Sequence, residues 1–467
     1  MVLLEGPVTS VSKGPLLALR LEPGRSLGLQ LEAQLRTLIR AGGLPAGHEL
    51  PSTRALALDL GVSRGVVVGA YAQLAAEGYL TLRRGAAATV APLTGAPQRE
   101  YVRAGSDVPV AAARFNLRPD LPDLALFPRR EWLAACRASL QHAANTDLAY
   151  GDPLGAAALR RQLAAFLART RGVVATPDRT AVALGSTHAL STLASALRRA
   201  GARRLGVEDP GHRWRTRALA ASGLEIVPVP VDGDGLCADR LPDVAAVVVS
   251  PDHHFPSGAA LSPERRRALV DWAVAGDRLV VEHDYDGHFR YDRPTAAAAL
   301  QALAPEQVAY VGGAGALLAP TLRVGWAVLP ARLVEPFVDE TFSELISAPR
   351  LTQLALAELI ARGQLDRHLR RARAAYRRRR ETLLASVEQR LPEAVVGGAP
   401  VGLYVSVALP AGRDERALLA AARRDGLALD GVGEHALTAQ PPGLALGFAA
   451  APEPTLRRAL ALLGKRC

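Results

Sequence analysis

Residues 44–85 read LPAGHELPSTRALALDLGVSRGVVVGAYAQLAAEGYLTLRRG, and this stretch decides the fold of the N-terminal part of the chain. Ser52 is suited to cap a short helix, because its hydroxyl can accept a hydrogen bond from the first turn, and Gly61 stops that helix. Ser63 is suited to cap a second helix, which Gly78 ends. The stretch therefore predicts two helices joined by a tight turn, followed by an extended segment.

The flanking sequence predicts a further helix and a hairpin. Leucines recur at helical spacing over residues 27–39, and a Gly-Gly-Leu-Pro turn ends that run. Residues 79–82 and 88–90 are predicted as two short strands with a basic turn between them. Helix, short helix, turn, helix and basic hairpin together form the plan of a winged helix-turn-helix, whose last helix enters the major groove of DNA.

Basic side chains fall where such a domain meets DNA. Arg64 lies in the first turn of the last helix, Arg54 in the first turn of the preceding helix, and Arg83 and Arg84 at the tip of the hairpin. A small helical core with ordinary surface arginines is the alternative, and the nearly balanced charge of residues 26–91 does not decide between the two. The order of caps, turns and tip arginines favours DNA binding.

The quoted stretch resembles the DNA-binding domain of GntR-type regulators and follows their pattern without interruption. It departs from that pattern at Gly65 and Val66, where the family often has hydroxyl residues, so base readout is expected to depend on Arg64 and on DNA shape. The resemblance implies a double-stranded DNA operator as partner and these DNA-facing positions: Arg54, Ser63, Arg64, Arg84 and Gly85.

Composition limits what the rest of the chain can be. The 467 residues are 49% hydrophobic and 22% charged, and their formal net charge of +11 favours an anionic partner. We expect a cytoplasmic protein with no membrane segment, no secretion signal and no disulfide framework. Lys13 and Lys465 are the only lysines, so a mechanism that needs a buried amine has almost no candidates.

Two folded regions are expected along the chain. Residues 26–91 form the predicted winged-helix domain and follow an N-terminal tail, residues 1–25. Residues 92–113 are rich in Ala, Pro, Gly and Val, which is typical of a linker. Residues 114–467 form the predicted large domain, with a small C-terminal lobe over about 333–467.

Apolar runs alternate with helical segments in the large region. This alternation predicts an α/β fold with a mostly parallel sheet and helices on both faces. An arginine-rich helix over 369–384 is expected to expose its charges to solvent, with contact to DNA phosphates as the alternative. The predicted buried strands are residues 180–184, 205–207, 244–249, 279–281 and 308–311, and predicted helices between them include 187–200 and 263–275.

Several motifs occur in a fixed order in the large region. Together with the N-terminal domain they resemble the MocR subfamily of GntR regulators, which fuse a winged helix to a fold-type I aminotransferase-like domain. The resemblance implies a pyridoxal phosphate pocket and a head-to-tail homodimer. The motifs are YGDPLG (150–155), LGSTHAL (184–190), EDPG (208–211), PDHHFPSG (251–258), EHDYDGHFRY (282–291) and PTLRVG (320–325).

A candidate ligand pocket follows from the motifs. Residues 185–187 follow a strand and open a helix, whose free backbone N–H groups can bind an anion, although a plain helix cap is the alternative on this feature alone. By resemblance, Tyr150 would reach the pocket of the partner subunit. The resemblance assigns these positions to the pocket: Tyr150, Gly185, Ser186, Thr187, His212, His283, Tyr285, Ala316 and Arg323.

Three pocket positions depart from the family pattern. Ala316 stands where the Schiff-base lysine belongs, His283 replaces the aspartate that pairs with the pyridine nitrogen, and His212 replaces the tyrosine that faces the ring. Without the amine there is neither a Schiff base nor a base for proton transfer. We therefore expect no transaminase activity and no catalytic residues, although pyridoxal phosphate is the cofactor expected of the family.

The histidines of this region do not predict a metal centre. Six of the ten lie between residues 185 and 290, but their spacing follows no metal motif, and polar lining of the cleft is the expected role. The sequence thus predicts a DNA-binding transcription regulator whose large domain dimerises and senses an unidentified small molecule without Schiff-base chemistry. The alternatives are a pyridoxal phosphate-dependent enzyme or non-covalent pyridoxal phosphate sensor, and a dimerisation scaffold without ligand.

Overall fold

The chain divides into two compact units, Met1–Ser106 and Asp107–Cys467. The computed structural model describes residues 19, 21, 22, 24, 26–83, 85–92, 113–292, 298–344 and 346–466. Arg84 and most of the predicted tail and linker lie outside the described residues. Among the described residues, no helix combines the length and the apolar composition that crossing a membrane requires.

The first unit has the predicted order of three helices and a hairpin. A single apolar cluster fills it, in which Leu31 and Leu35 of the first helix and Leu74 of the third are fully buried. The strands pair antiparallel, with Leu80 opposite Val90. The elements are α1 (Leu27–Arg40), α2 (Thr53–Asp59), α3 (Arg64–Ala76), β1 (Leu80–Thr81) and β2 (Thr89–Val90).

The second unit is built on one large sheet. All five runs predicted as buried strands are strands of this sheet. Its strands are β4 (Thr180–Ala183), β5 (Arg204–Asp209), β6 (Glu225–Asp232), β7 (Gly235–Leu236), β8 (Ala246–Val249), β9 (Leu279–Asp284), β10 (Val308–Gly313) and β11 (Gly325–Val328).

The strand order in the sheet is β4-β11-β10-β9-β8-β5-β6-β7. The five central strands, from β10 to β6, pair in parallel, which confirms the mostly parallel sheet. Only β11 and β7 pair antiparallel with their neighbours. Because the parallel strands run in one direction, their carboxyl ends meet at one edge, where open α/β sheets bind ligands.

Helices cover both faces of the sheet, as predicted. Leu279 and Val281 of β9 pack on one face with Leu190, and Val280 packs on the other face with Leu269. The helices of this unit are α4 (Arg129–His142), α5 (Ala157–Arg171), α6 (Ser186–Arg199), α7 (Arg213–Ala220), α8 (Pro263–Ala275), α9 (Ala314–Leu317), α10 (Ala331–Glu344), α11 (Arg350–Ala361), α12 (Gln364–Arg390), α13 (Glu415–Arg424) and α14 (Glu453–Leu463).

A second, smaller sheet lies in the C-terminal part and has the order β12-β13-β16-β15. Near it, β14 pairs in parallel with β3, so residues that follow the predicted linker belong beside the C-terminal elements. Periodicity could not predict this pairing, because two residues are too few for a pattern. The strands are β3 (Phe115–Asn116), β12 (Val395–Gly397), β13 (Tyr404–Ala408), β14 (Leu427–Ala428), β15 (Asp430–Gly431) and β16 (Gly443–Gly447).

The arginine-rich helix corrects one expectation. Arg370, Arg371 and Arg377 of α12 are exposed, as the sequence predicts for a solvated face. Arg379 is instead buried and pairs with the carboxylate of Asp123 at 2.7 Å. The helix therefore carries structural as well as surface arginines, a difference that charge alone does not reveal.

Candidate functional sites

Two hydrogen bonds fix the start of α2 and connect it to α3. The Ser52 hydroxyl accepts a hydrogen bond from the backbone N–H of Ala55 at 3.2 Å, which confirms the predicted N-cap. The hydroxyl of Tyr71 in α3 donates to the backbone carbonyl of Pro51 at 2.9 Å. The third helix is thereby tied to the start of the second.

The predicted DNA-facing residues of the two helices are exposed. Arg64 begins α3, and its Nε donates to the Thr53 hydroxyl at the start of α2 across 3.3 Å. Arg54 follows Thr53, so both predicted arginines lie at the same end of the pair. Ser63 occupies the N-cap position of α3, but its side chain accepts no capping hydrogen bond, so the expectation that it caps this helix through its hydroxyl is wrong.

The hairpin tip carries the other predicted contacts. Arg83 is exposed, and its backbone carbonyl accepts a hydrogen bond from Ala86 at 3.2 Å, which closes a tight turn. Gly85 has φ of +81° within that turn, a conformation that favours glycine. Arg84 is outside the described residues, so its predicted contact has no structural description.

The exposed face of α3 also includes Val68 and Gly69, which the sequence did not predict as DNA-facing residues. Nothing lies within 4 Å of a Cβ placed on Gly69, and Val68 is 45% exposed beside it. A Cβ on Gly65 would meet only the Ser63 hydroxyl at 3.8 Å. Because the two glycines carry no side chain, α3 can approach a DNA groove closely. The aliphatic side chain of Val68 is suited to contact a thymine methyl group.

A cavity of about 150 Å³ lies where the motifs of the second unit meet. A space of this size accommodates a small ring. Six of the nine predicted pocket positions line it, and Tyr150, His212 and His283 do not. Its lining consists of Leu184, Gly185, Ser186, Thr187, Tyr285, Gly313, Gly315, Ala316, Pro320, Arg323 and Val324.

One side of the cavity is built to hold an anion. Gly185 follows β4 with φ of +93°, and Ser186 starts α6, whose first backbone N–H groups have no partner in the preceding turn. Arg323, which also lines the cavity, has φ of +50°, a strained conformation for a residue other than glycine. A guanidinium and a helix N-terminus on one cavity are complementary to a phosphate or carboxylate.

Another part of the lining is small and apolar. Gly313, Gly315 and Ala316 end β10 and form the short helix α9, and none carries a polar side-chain atom. No lysine belongs to the described lining. Lys465 is exposed near the end of α14, and Lys13 lies outside the described residues. The lining therefore offers no amine to an aldehyde.

His283 is the last residue but one of β9, and it contacts Arg215. The guanidinium Nη1 of Arg215 donates to Nδ1 of His283 at 3.0 Å, and it lies 3.3 Å from the Ser250 hydroxyl. Burial, reinforced by the Arg215 charge, lowers the pKa of His283 to about 3. His283 is therefore neutral at physiological pH.

Glu208 lies behind this pair and is also buried. Its two carboxylate oxygens accept hydrogen bonds from the backbone N–H of Ser250 at 3.1 and 3.0 Å, and one of them lies 3.7 Å from Arg215. Burial raises the pKa of Glu208 to about 7, although Arg215 opposes that rise. Arg215 is thus the cation that orients His283, although it lies in none of the sequence motifs.

His212 belongs to an aromatic cluster beside the cavity. Its ring stacks on Phe255 with centroids 3.9 Å apart, and the edge of Tyr285 lies 5.4 Å away. Burial and the nearby Arg215 lower the pKa of His212. Tyr285 in turn donates its hydroxyl to the backbone carbonyl of His253 at 2.8 Å, which fixes the cavity wall.

The carboxylate next along β9 points away from the cavity face. Asp284 pairs with the fully buried Arg171, at 2.6 Å from its Nε, and accepts a hydrogen bond from the Tyr310 hydroxyl at 2.7 Å. Burial opposes ionisation of Asp284, but Arg171 prevails and lowers its pKa. Asp284 is therefore a structural anion behind the sheet and cannot take the place of His283.

The remaining histidines have partners of their own. His188 lies 2.9 Å from Glu344, His253 lies 2.9 Å from Asp286, and His254 contacts the Pro210 carbonyl at 2.9 Å. No histidine is among the described residues that line the cavity, whereas His253 and His283 line another small pocket that also includes Tyr285, so the role of the histidines as polar lining stays a prediction. Over the same residues, no group of three His, Cys, Asp or Glu side chains is arranged to hold a metal ion.

Tyr150 stands apart from the rest of the predicted pocket. It precedes Gly151, and its exposed fraction of 107% shows that the described residues of its own chain leave it fully accessible. Leu148, 62% exposed, lies beside it. Two large, exposed apolar side chains next to each other mark a surface that another chain can cover.

Comparison with known proteins agrees with the two-part architecture. Residues 27–90 match the model of bacterial regulatory proteins of the gntR family, and residues 123–459 match aminotransferase class I and II. Among solved structures, the kynurenine aminotransferase of Pyrococcus horikoshii superposes with a TM-score of 0.70 at 23% identity, over 76% of this chain and 91% of that enzyme. An archaeal alanine:glyoxylate aminotransferase gives a TM-score of 0.70 at 21% identity, over 92% and 98%. These likenesses show the fold.

Relatives with both domains span nearly the whole chain. The HTH-type pyridoxine biosynthesis transcriptional regulator PdxR of Corynebacterium glutamicum is 34% identical over 93% of this chain and 95% of its own length. The probable rhizopine catabolism regulatory protein MocR of Rhizobium meliloti is 29% identical over 92% of each. The chain therefore belongs to the MocR type of GntR-family transcriptional regulators, in which a helix-turn-helix domain precedes an aminotransferase-like domain.

Proposed function

We propose that this regulator binds its operator through Arg54, Arg64 and the hairpin tip, and that its aminotransferase-like domain holds a small anionic ligand without a covalent bond. The observation that carries the proposal is the cavity itself. Ser186 and Arg323, which we take as the anion cradle, line the same cavity as Ala316, which has no reactive group. The domain thus reports on a ligand and does not transform it.

Pyridoxal phosphate, which aminotransferase-like domains normally bind, fits this cavity only in part. Ser186, Thr187, the start of α6 and Arg323 suit its phosphate. When bound covalently, the cofactor supplies an electron sink to its substrate, and that attachment requires a lysine. The residue at position 316 is alanine, and His283 is a neutral donor where a carboxylate would be needed. The residues present therefore support reversible binding and do not support transamination.

A homodimer in head-to-tail arrangement is part of the proposal. The exposed apolar side chains Leu148 and Tyr150 support it, together with Leu133 and Leu140 of α4, each 61% exposed. In such a dimer Tyr150 would contact the cavity of the other copy. Two helix-turn-helix domains on one particle bind two half-sites with a gain in effective concentration.

Titration calorimetry with pyridoxal phosphate and with inorganic phosphate as probes tests the proposal. We expect saturable binding that dialysis reverses, and at least about ten-fold weaker binding in Arg323→Ala, because one charge-assisted contact to the anion is lost. Arg240→Ala is the matched control, since Arg240 is exposed and does not line the cavity. Equal affinity in Arg323→Ala and wild type would refute the anion cradle.

Turnover measurements separate the proposal from the enzyme alternative. We expect no transfer of an amino group between amino acids and 2-oxo acids in the presence of pyridoxal phosphate. Detectable turnover would favour a pyridoxal phosphate-dependent enzyme. If neither probe binds and a thermal-shift screen of anionic metabolites finds no stabilisation, the domain is a dimerisation scaffold.

A further inference from the structure

His283 has a nitrogen without a partner in the interior of the domain. The side chain is 6% exposed, and its Nε2 has no hydrogen-bond partner among the described residues. A buried polar atom left unpaired is destabilising, so such an atom in a native fold is a candidate to contact a bound ligand.

Arg215 fixes the protonation state of this histidine. A guanidinium has only donors, so Nδ1 of His283, at 3.0 Å from Arg215 Nη1, must be the acceptor and carries no proton. The single proton of the neutral ring is then on Nε2. The unpaired atom is therefore a hydrogen-bond donor that has no acceptor among the described residues.

The position of His283 connects this donor to the ligand cavity. Tyr285 directly follows β9, two residues after His283, and the centroids of the two rings are 5.4 Å apart. Tyr285 lines the cavity together with Ser186 and Arg323. The ring of His283 is thus a direct neighbour of a residue that lines the cavity together with the anion cradle.

The surroundings of His283 disfavour a cation. Arg215 is the charged group in direct contact with it, and His212 and His254 nearby are held neutral because burial lowers their pKa. Glu208 is hydrogen-bonded to Ser250 and faces Arg215. A positively charged ligand atom placed at Nε2 would meet an N–H donor and, behind it, a guanidinium.

We propose that the ligand of this cavity is an anion that carries, at its far end, an uncharged hydrogen-bond acceptor for Nε2 of His283. An unprotonated ring nitrogen or a carbonyl oxygen meets this requirement. The inference rests on the proposed ligand-binding function and specifies the ligand's polarity. A carboxylate at position 283 would select a ligand with a protonated ring nitrogen, whereas the neutral imidazole selects one with an unprotonated ring nitrogen.

Two probes that differ at one atom test the selection. Pyridoxal phosphate has a ring nitrogen with a free lone pair, and N-methyl pyridoxal phosphate has a permanent positive charge and no acceptor there. We expect wild type to bind the first at least about ten-fold more tightly than the second, the value of one lost hydrogen bond to a buried donor. Equal affinities, or tighter binding of the methylated probe, overturn the proposal.

Variants at position 283 give the second arm. His283→Asp is expected to reverse the preference between the two probes, and His283→Asn, whose amide can still accept from Arg215 and donate to the ligand, is expected to retain it. His142→Gln, at an exposed position of α4, is the matched control and should leave both affinities unchanged. A preference that is the same in wild type and in a folded His283→Asp protein overturns the role of His283.

Nitrogen NMR of the imidazole rings tests the donor without any ligand. We expect His283 to show one neutral tautomer, with the proton on Nε2, from pH 8 down to about 5, because its pKa lies far below the usual value near 6.5. A proton on Nδ1, or titration near pH 6.5, overturns the proposal. If this tautomer is found but neither probe nor inorganic phosphate binds, the proposed ligand-binding function fails, and the ligand assignment fails with it.

Discussion

Gly325 packs so closely against the backbone of Gly185 that a side chain at position 325 has no room. A Cβ on Gly325 would lie 2.3 Å from the carbonyl carbon of Gly185 and 2.5 Å from the backbone nitrogen of Ser186. The first residue of β11 thereby supports the turn that opens α6. This contact supports the backbone of Ser186, which belongs to the anion cradle.

Gly325→Ala should therefore damage ligand binding and stability together. The added methyl group must displace the backbone of Gly185 and Ser186, and such overpacking costs about 1–3 kcal/mol. Urea titrations followed by tryptophan fluorescence measure the stability of the large domain, because all four tryptophans, at 132, 214, 272 and 326, lie in it. Calorimetry with pyridoxal phosphate measures the affinity.

The matched control for this substitution is Gly315→Ala. A Cβ on Gly315, which also lines the cavity, would meet only the α carbon of Pro320 at 3.8 Å, an ordinary contact. We expect unchanged or slightly higher stability, since alanine is the better helix former. Equal losses in the two variants would show that the close contact at Gly325 has no special role.

Arg64→Ala should weaken specific DNA binding by about 1–3 kcal/mol and relax the base preference, because the side chain begins the recognition helix and is exposed. Binding to operator and to scrambled DNA, at one salt concentration, provides the measurement. Gln73→Ala, exposed near the other end of α3, should leave affinity unchanged. Unaltered discrimination between the two DNAs in Arg64→Ala would rule out α3 as the reading element.

Arg83→Ala should weaken binding to all sequences alike. The exposed guanidinium at the hairpin tip is placed for a phosphate, and loss of one phosphate contact lowers the slope of log affinity against log salt by about one unit. Filter binding over a range of salt concentrations measures the slope. The same slope in variant and wild type would contradict a contact between the hairpin and phosphate.

The N-terminal unit could be predicted almost completely from the sequence. Caps, glycine stops and leucine spacing are local signals, and α1, α2, α3 and the hairpin appear within one or two residues of their expected limits. The alternation of strands and helices likewise predicted the parallel sheet. Ser63 differs in detail, because a residue can hold the N-cap position without making the side-chain hydrogen bond.

The cavity was predictable only where motifs mark it. Ser186 and Arg323 stand in recognisable motifs and line the cavity as expected. The role of Arg215 could not be predicted from a local sequence pattern, because its contact with His283 joins residues 68 positions apart in sequence. The burial of Arg379 against Asp123 depends in the same way on a distant partner, at a separation of 256 residues.

Acid should destabilise the large domain through its buried histidines, and His254→Gln isolates one of them. Burial, reinforced by Arg215, lowers the pKa of His254 to about 3, whereas in the unfolded chain it is near 6.5. The unfolded state therefore takes up a proton first, so the stability that this residue contributes is present above pH 6.5 and is lost as the pH falls.

The stability of wild type relative to His254→Gln should accordingly decrease by about 1 kcal/mol between pH 6.5 and 5.5, and the slope should approach about 1.4 kcal/mol per pH unit at lower pH. Urea titrations at pH 7.5, 6.5 and 5.5 provide the comparison, and the difference between the two proteins removes the effect of other titrating groups. A difference in stability that stays constant over this range would mean that His254 takes up its proton in the folded state.

If the large domain holds its ligand without a covalent bond, borohydride reduction should leave no cofactor attached to the protein. The protein is incubated with pyridoxal phosphate, reduced with borohydride, digested with trypsin and examined by mass spectrometry, with Ala316→Lys as the control that restores an amine to the cavity. For wild type we predict no saturable, stoichiometric phosphopyridoxyl adduct on any residue of the folded domain. One equivalent of adduct on an internal residue would contradict the account.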